Sequence, residues 1–121
     1  ALRRDSSTPQ GQTMSLRNIA NDFSLKVVAG SYEDAFEMLS GEAREIWSAS
    51  SLKESYLDMI EYFEGEAAQV LTEFDDEFGM TPLEDGTLLY VPVNTESGLS
   101  EAISVVIDAS GGITEVEFGR P

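Results

Sequence analysis

The chain has 121 residues, 41% of them hydrophobic, and carries 23 acidic against 7 basic side chains, a formal net charge of -16. Without any histidine or cysteine, it cannot form disulfides, thiolate or imidazole metal sites, cysteine nucleophiles or Ser-His-Asp triads. The negative charge disfavours nucleic acid and anionic lipid as partners, and no apolar stretch approaches the ~20 residues that span a bilayer.

The charged residues also bear on location. Two of the seven cations are lysines, Lys26 and Lys53, and a lysine-poor, acid-rich surface is what we expect of a protein from a high-salt cytoplasm. High-GC codon usage in a mesophile produces a similar composition. No signal peptide is visible. Two locations stay open: the cytoplasm of a high-salt organism, and export with the signal already removed.

The first 13 residues are polar, with Arg3, Arg4, Pro9 and Gly11 among them, and are predicted to be a flexible leader. Residues 14–121 are predicted to form a single domain. Its first helix runs from Leu16 to Val27, because apolar residues recur at spacings of three and four, and Gly30 is a natural stop.

Two pairs of residues with the spacing of a capping box predict where the next helices begin. Ser31 and Asp34 have the spacing that opens a second helix, and a short helical turn over residues 42–47 follows it. Ser51 and Glu54 repeat the spacing and predict a long third helix over residues 52–64, ended by Gly65.

After Gly65 the hydrophobic period changes from helical to alternating. Four strands rich in β-branched residues are predicted, at residues 70–75, 88–93, 102–107 and 113–118, with hairpin loops at 94–98 and 110–112. Pro92 lacks a backbone N–H, so it predicts an edge position or a bulge. Helices followed by strands indicate an α+β domain with the helices on one face of an antiparallel sheet of about four strands.

The segment between the first two strands is predicted to be irregular. Asp75, Asp76 and Glu77 form the densest acidic cluster, but consecutive strand residues point to alternate faces and cannot all converge on one ion. We therefore interpret them as a solvated cluster and predict no metal site and no other cofactor. Residues 79–82 and 84–86 are predicted to form a mobile loop at the rim of a pocket.

Three stretches carry a resemblance to a known superfamily: Phe23 with residues 27–36, residues 50–54 ahead of the helix that ends at Gly65, and residues 105–113. Over residues 15 to 119 the order of elements resembles the cone-shaped, cystatin-like α+β fold of ketosteroid isomerase and nuclear transport factor two. Small domains of this type occur ahead of α/β-hydrolases and in exported proteins. The resemblance implies a curved sheet that encloses a conical pocket with the helices, and dimerisation through the outer face of that sheet.

In catalytic members of that superfamily the pocket holds a carboxylate or histidine beside a tyrosine or protonated acid. No carboxylate of this chain aligns with such a site, so we assign no catalytic residue. The candidate pocket-lining residues are large and mostly apolar, and the competing interpretation is that they fill the core; they are Trp47, Tyr56, Met59, Phe63 and Tyr90. Tyr56 or Tyr90 could offer a ligand a hydrogen bond.

The sequence therefore favours a non-catalytic domain that binds a small apolar ligand in a conical pocket or acts as a homodimeric interaction module. One alternative is a pocket enzyme of the isomerase, cyclase or dehydratase type that uses a carboxylate and a tyrosine. A second alternative is an accessory domain of a hydrolase or of an exported assembly.

The net charge generates a first prediction. Because salt screens repulsion among the excess carboxylates, the melting temperature should rise from dilute buffer to molar KCl. Thermal unfolding followed by circular dichroism in both buffers measures this. An unchanged melting temperature would argue against adaptation to high salt.

Overall fold

The computed structural model describes residues 15–73 and 79–119. These residues form an α+β fold, as predicted, in which four α-helices precede a curved, open, antiparallel sheet of five strands. The helices are α1 (Leu16–Val28), α2 (Tyr32–Glu37), α3 (Gly41–Ile46) and α4 (Ala49–Ile60), which a 3-10 turn (Glu61–Phe63) extends. The strands are β1 (Gln69–Val70), β2 (Met80–Leu83), β3 (Gly86–Asn94), β4 (Ser100–Ile107) and β5 (Ile113–Phe118).

The sheet is built around the pairing of β3 with β4. The order across the sheet is β1, β3, β4, β5, and β2 joins it by pairing with β3. Both β1 and β2 therefore lie along the same edge of β3, one after the other. The β3–β4 register pairs Thr87 with Ile107 at one end and Asn94 with Ser100 at the other.

The prediction of a mobile loop is wrong for residues 80–82, which belong to a strand, whereas residues 84 and 85 form a tight turn between β2 and β3. Residues 80–83 form β2, which pairs with β3 from Met80 opposite Leu89 to Leu83 opposite Gly86. Met-Thr-Pro-Leu shows no clear alternation, and Pro82 argues against a strand in the sheet interior. The strand forms because β2 is at an edge, where a missing N–H is tolerated.

The predicted start of α1 is confirmed, whereas the capping box predicted for α2 does not form. Ser15 caps α1, its hydroxyl accepting from the Asn18 amide at 3.1 Å, and Gly30 follows α1 with φ of 86°. Ser31 precedes α2 but makes no side-chain cap bond, so the predicted capping box does not form there.

The long helix α4 begins at Ala49, three residues before the predicted start. Its capping box joins Ser48 and Ser51, whose side chains accept from each other's backbone amides at 3.0 and 2.8 Å. Ser51 is therefore the third helical residue and not the cap. α4 itself ends at Ile60, four residues before the predicted end, and the 3-10 turn continues to Phe63. Glu64 and Gly65 then stop the helical path with positive φ, 53° and 92°.

Pro92 lies in a strand that is paired on both sides, so the prediction of an edge position or bulge is wrong for β3 as a whole. The missing N–H has a local effect instead. Leu71 donates to the Pro92 carbonyl at 3.0 Å, and Pro92 has no N–H to return the bond. β1 accordingly ends at Val70. The strand predicted over residues 70–75 is therefore much shorter in the structure; residues 74 and 75 lie outside the described residues.

A buried arginine from α1 satisfies the backbone in the gap between β1 and β2. Arg17 is 2% exposed, and its Nη1 donates to the Tyr90 carbonyl at 2.7 Å. The adjoining Tyr90 amide donates to the Gly79 carbonyl at 3.2 Å, where β2 begins. A charged donor from a helix thus replaces the strand pairing that Pro92 interrupts.

The core lies between the helices and the inner face of the sheet, where alternate residues of the two central strands have essentially no exposure. Those strand residues are Leu89, Val91, Val93, Ile103, Val105 and Ile107. Ala20, Phe23 and Val27 of α1 pack on this layer together with Leu52 of α4. The apolar face predicted for the first helix is confirmed at Ala20, Phe23 and Val27, which are fully buried.

The capping box of α4 generates the second prediction. Ser48→Ala should lower the free energy of unfolding by about 1 kcal/mol, because it removes the acceptor for the Ser51 amide. Chemical denaturation measures the change. Ser50→Ala, in the same turn but exposed, is the matched control and should change stability by less than about 0.5 kcal/mol.

Glu54→Ala discriminates between the two possible caps. If Ser51 and Glu54 formed the box, this substitution would cost about as much as Ser48→Ala. With the cap at Ser48, it should leave the stability almost unchanged.

Candidate functional site

Three of the five predicted pocket-lining residues are part of the core. Tyr56, Met59 and Phe63 are 4%, 7% and 0% exposed and belong to the cluster that joins the helices to the sheet. They come together, as the helical spacing indicates, on the inner side of α4 and its 3-10 extension. These three side chains fill part of the interior between the helices and the sheet.

Tyr56 carries the hydroxyl with the most perturbed titration among these residues. Burial, and to a smaller extent the electrostatic effect of Tyr32, raise the pKa of Tyr56 to about 12. Its ring meets Phe118 edge-on at 6.5 Å between centroids. A phenol with such a pKa stays protonated at physiological pH, where it can donate or accept a hydrogen bond.

Tyr90 lies on the opposite face of the sheet from the other candidates. Its neighbours Leu89 and Val91 point to the helices, so Tyr90 points away from them. The same outer face carries other apolar side chains of β3 and β4, which we call the outer patch: Leu88, Tyr90, Pro92, Ala102 and Val106. Each of these residues is partly or largely buried, and the described helices pack on the other face.

Trp47 is partly buried and packs against the edge of the core cluster to which Met59 belongs. Both residues line an open cleft of about 430 Å³ between α4 and β5, which we call the edge groove. Its other lining residues are Ser55, Asp58, Val116, Glu117 and Phe118. Trp47 contacts Phe118 edge-on at 5.9 Å between ring centroids. The groove is therefore apolar at its floor and acidic at its rim.

A second open cleft of about 920 Å³ lies where α3 meets the start of β5 and the turns at residues 84–85 and 108–112. Five carboxylates and two uncharged residues line it: Glu42, Glu45, Asp85, Asp108, Glu115, Ile46 and Thr114. No group of three metal-binding side chains with suitable placement occurs in the two described segments. The acidic cluster predicted at residues 75–77 lies outside them.

Asp108 organises the turn between β4 and β5. Its Oδ1 accepts from the Ser110 hydroxyl at 2.7 Å and from the Ser110 and Gly112 amides at 3.0 and 2.9 Å. The Ser110 hydroxyl and then the backbone amides stabilise the charged carboxylate and lower the pKa of Asp108. The residues 110–112 form the predicted hairpin turn, and Gly111 adopts φ of 90°.

The edge groove includes residues that the sequence reasoning missed. Asp58, Val116 and Phe118 were not among the predicted pocket-lining residues. The alternation of β5, Glu115-Val116-Glu117-Phe118, already separates an acidic face from an apolar one. What the sequence lacks is the information that Val116 and Phe118 line an open cleft together with residues of α4.

Comparison with protein-family models, with characterised proteins and with solved structures finds no match for this chain. The likeness to the nuclear transport factor two and ketosteroid isomerase superfamily therefore stays a prediction. Across the part of the chain that the structure describes, no helix is both long enough and apolar enough to cross a bilayer.

The hydrogen bonds of Asp108 generate the third prediction. A carboxyl whose pKa is lowered by folding stabilises the folded state above its unfolded pKa, about 3.9, and loses that effect as the pH falls through the folded value. Asp108→Ala should therefore be less stable than the wild type at neutral pH, and the difference should shrink below about pH 4.

Urea denaturation of both proteins at several pH values measures this difference. Glu45→Ala is the control, since Glu45 lines the same cleft and is exposed. A stability difference for Asp108→Ala that stays constant down to the acid limit would contradict the assigned role.

Proposed function

We propose that this domain is a non-catalytic interaction module that forms a homodimer through the outer patch. The observation that supports it is the composition of the outer sheet face at β3 and β4. Antiparallel sheets with one solvated face normally alternate apolar and polar residues. Here the outer positions of β3, which are partly exposed, include Leu88, Tyr90 and Pro92 in succession.

The packing of the interior favours an interaction module over a domain that binds a ligand in a conical pocket. Tyr56, Met59 and Phe63, the residues expected to line a conical cavity, are packed into the core. An isomerase-type site would need a carboxylate beside the buried phenol. The described residues give Tyr56 a ring contact with Phe118 and an electrostatic interaction with Tyr32, and neither of these residues is a carboxylate.

The charge distribution is compatible with pairing of two identical faces. The outer patch itself holds no charged side chain, and the acidic residues Glu115 and Glu117 lie to one side of it, on β5. A two-fold axis parallel to the strands between β3 and β4 brings β5 of one copy over the β1–β2 edge of the other. The glutamates of the two copies then lie apart, and the same patch of each copy forms an isologous interface.

Self-association provides the fourth prediction. Because each chain carries a net charge of -16, the dimer should be favoured by salt, which screens repulsion between the copies. Sedimentation equilibrium in low and molar KCl should show a dimer whose dissociation constant falls as salt rises. Wild-type protein that stays monomeric at high micromolar concentration in both buffers would refute the proposal.

A pair of variants locates the interface. Tyr90→Glu introduces a charge in the outer patch and should raise the dissociation constant of the dimer at least about tenfold. Circular dichroism should show that the variant keeps its fold. Tyr62→Glu makes the same change on the helical side, where Tyr62 is 52% exposed, and should dimerise like the wild type. Ala102→Glu repeats the test at a second outer position in case Tyr90→Glu is unstable.

A further inference from the structure

The outer edge of β5 is open over part of its length. At its start, the Ser40 amide donates to the Ile113 carbonyl at 2.8 Å, and Leu39 forms a bridge with Ile113. Beyond that point, the described residues pair β5 with β4 alone. The edge from Val116 to Phe118 therefore lies beside the edge groove, and no strand within residues 15–73 and 79–119 pairs with it.

The register shows which backbone groups point outward. Gly119 donates to the Ala102 carbonyl at 2.9 Å, and hydrogen-bonded pairs alternate along an antiparallel ladder. Glu115 and Glu117, opposite Val106 and Ser104, consequently exchange hydrogen bonds with β4. Val116 and Phe118 direct their N–H and C=O groups away from the sheet, and their side chains line the edge groove.

We propose that this edge binds an extended basic peptide segment, which adds a strand to the sheet next to β5. Main-chain hydrogen bonds to Val116 and Phe118 hold the segment, and the edge groove receives its apolar side chains, as in other strand-addition complexes. The inference does not rest on the proposed dimer, since it uses the edge of the sheet and not its outer face.

Charge decides which partner fits. Residues opposite each other on neighbouring antiparallel strands share a face, and like charges directly opposite are destabilising. Suppose that β5 of a second copy paired here in antiparallel fashion, with the two-fold axis of the pair at Glu115, Val116 or Glu117. Each of these registers would place a glutamate of one copy opposite a glutamate of the other. A second copy is therefore disfavoured, and lysine or arginine opposite the two glutamates is favoured.

The same geometry specifies an alternating sequence. Basic residues are required opposite Glu115 and Glu117 on the outer face, and apolar residues opposite Val116 and Phe118 on the groove side. The apolar residues enter between Trp47 and Met59, and Asp58 at the rim adds a further negative charge. The acidic cleft at the start of β5, lined by Glu42 and Glu45, extends the attraction along the strand.

The test uses the peptide Lys-Val-Lys-Ile-Lys-Val-Lys and a block isomer of the same composition, Lys-Lys-Lys-Lys-Val-Ile-Val. Trp47 is the one tryptophan of the chain, and its fluorescence reports entry into the groove. The alternating peptide should shift the Trp47 emission to shorter wavelength with saturation. The block isomer should bind at least about tenfold more weakly, since it cannot match both faces.

Amide hydrogen exchange distinguishes strand addition from loose attraction. Binding should slow exchange at Val116 and Phe118, whereas the amides of Glu115 and Glu117, already bonded to β4, should change little. Equal binding of both peptides, or binding without slower exchange at Val116 and Phe118, would overturn the proposal. Slow exchange at these two amides in the free protein would also overturn it, because the edge would then be occupied.

Charge reversal supplies the matched variants. Glu115→Lys with Glu117→Lys should weaken the alternating basic peptide by about tenfold or more. The control, Glu33→Lys with Glu96→Lys, changes the net charge equally at exposed positions elsewhere, and should retain the affinity within about threefold. Equal loss in both double variants would assign the binding to net charge alone.

Discussion

The pairing of β3 with β4 is the interaction on which the rest of the fold depends. Eight residue pairs join these strands, and every other strand is added to one of the two. Their inner side chains form the floor of the core on which α1 and α4 pack. Because side chains alternate between the two faces of a strand, the register that builds this core also fixes which residues form the outer patch.

The edge of β3 shows how the fold accommodates a proline in a central strand. Pro92 cannot donate to a neighbour, β1 stops beside it, and β2 resumes the edge further along. The carbonyl left between them is satisfied by Arg17, a buried cation whose placement depends on the packing of α1 against β3. A charged hydrogen bond of this type contributes about 1.5–3 kcal/mol, so the start of α1 and the edge of the sheet are coupled.

The order and type of the elements were predictable because the hydrophobic period changes from helical to alternating at Gly65. The start of α4 was not, because Ser48 with Ser51 and Ser51 with Glu54 offer the same spacing, and local hydrogen bonds decide between them. β2 escaped prediction since Met-Thr-Pro-Leu has no alternation of its own and depends on pairing with β3. The sequence also could not place Tyr90, because both faces of β3 are apolar and only the packing of the helices shows which one is buried.

The central claim is that both faces of the β3–β4 pair are used, the inner one for folding and the outer one for association. Hydroxyl-radical footprinting of the protein at dilute and at high concentration tests it most directly. The account predicts that Leu88 and Tyr90 become protected as concentration rises, whereas Leu57 and Tyr62 on the helical side stay equally reactive. Unchanged reactivity at Leu88 and Tyr90, or protection that appears at Leu57 and Tyr62 instead, would contradict it.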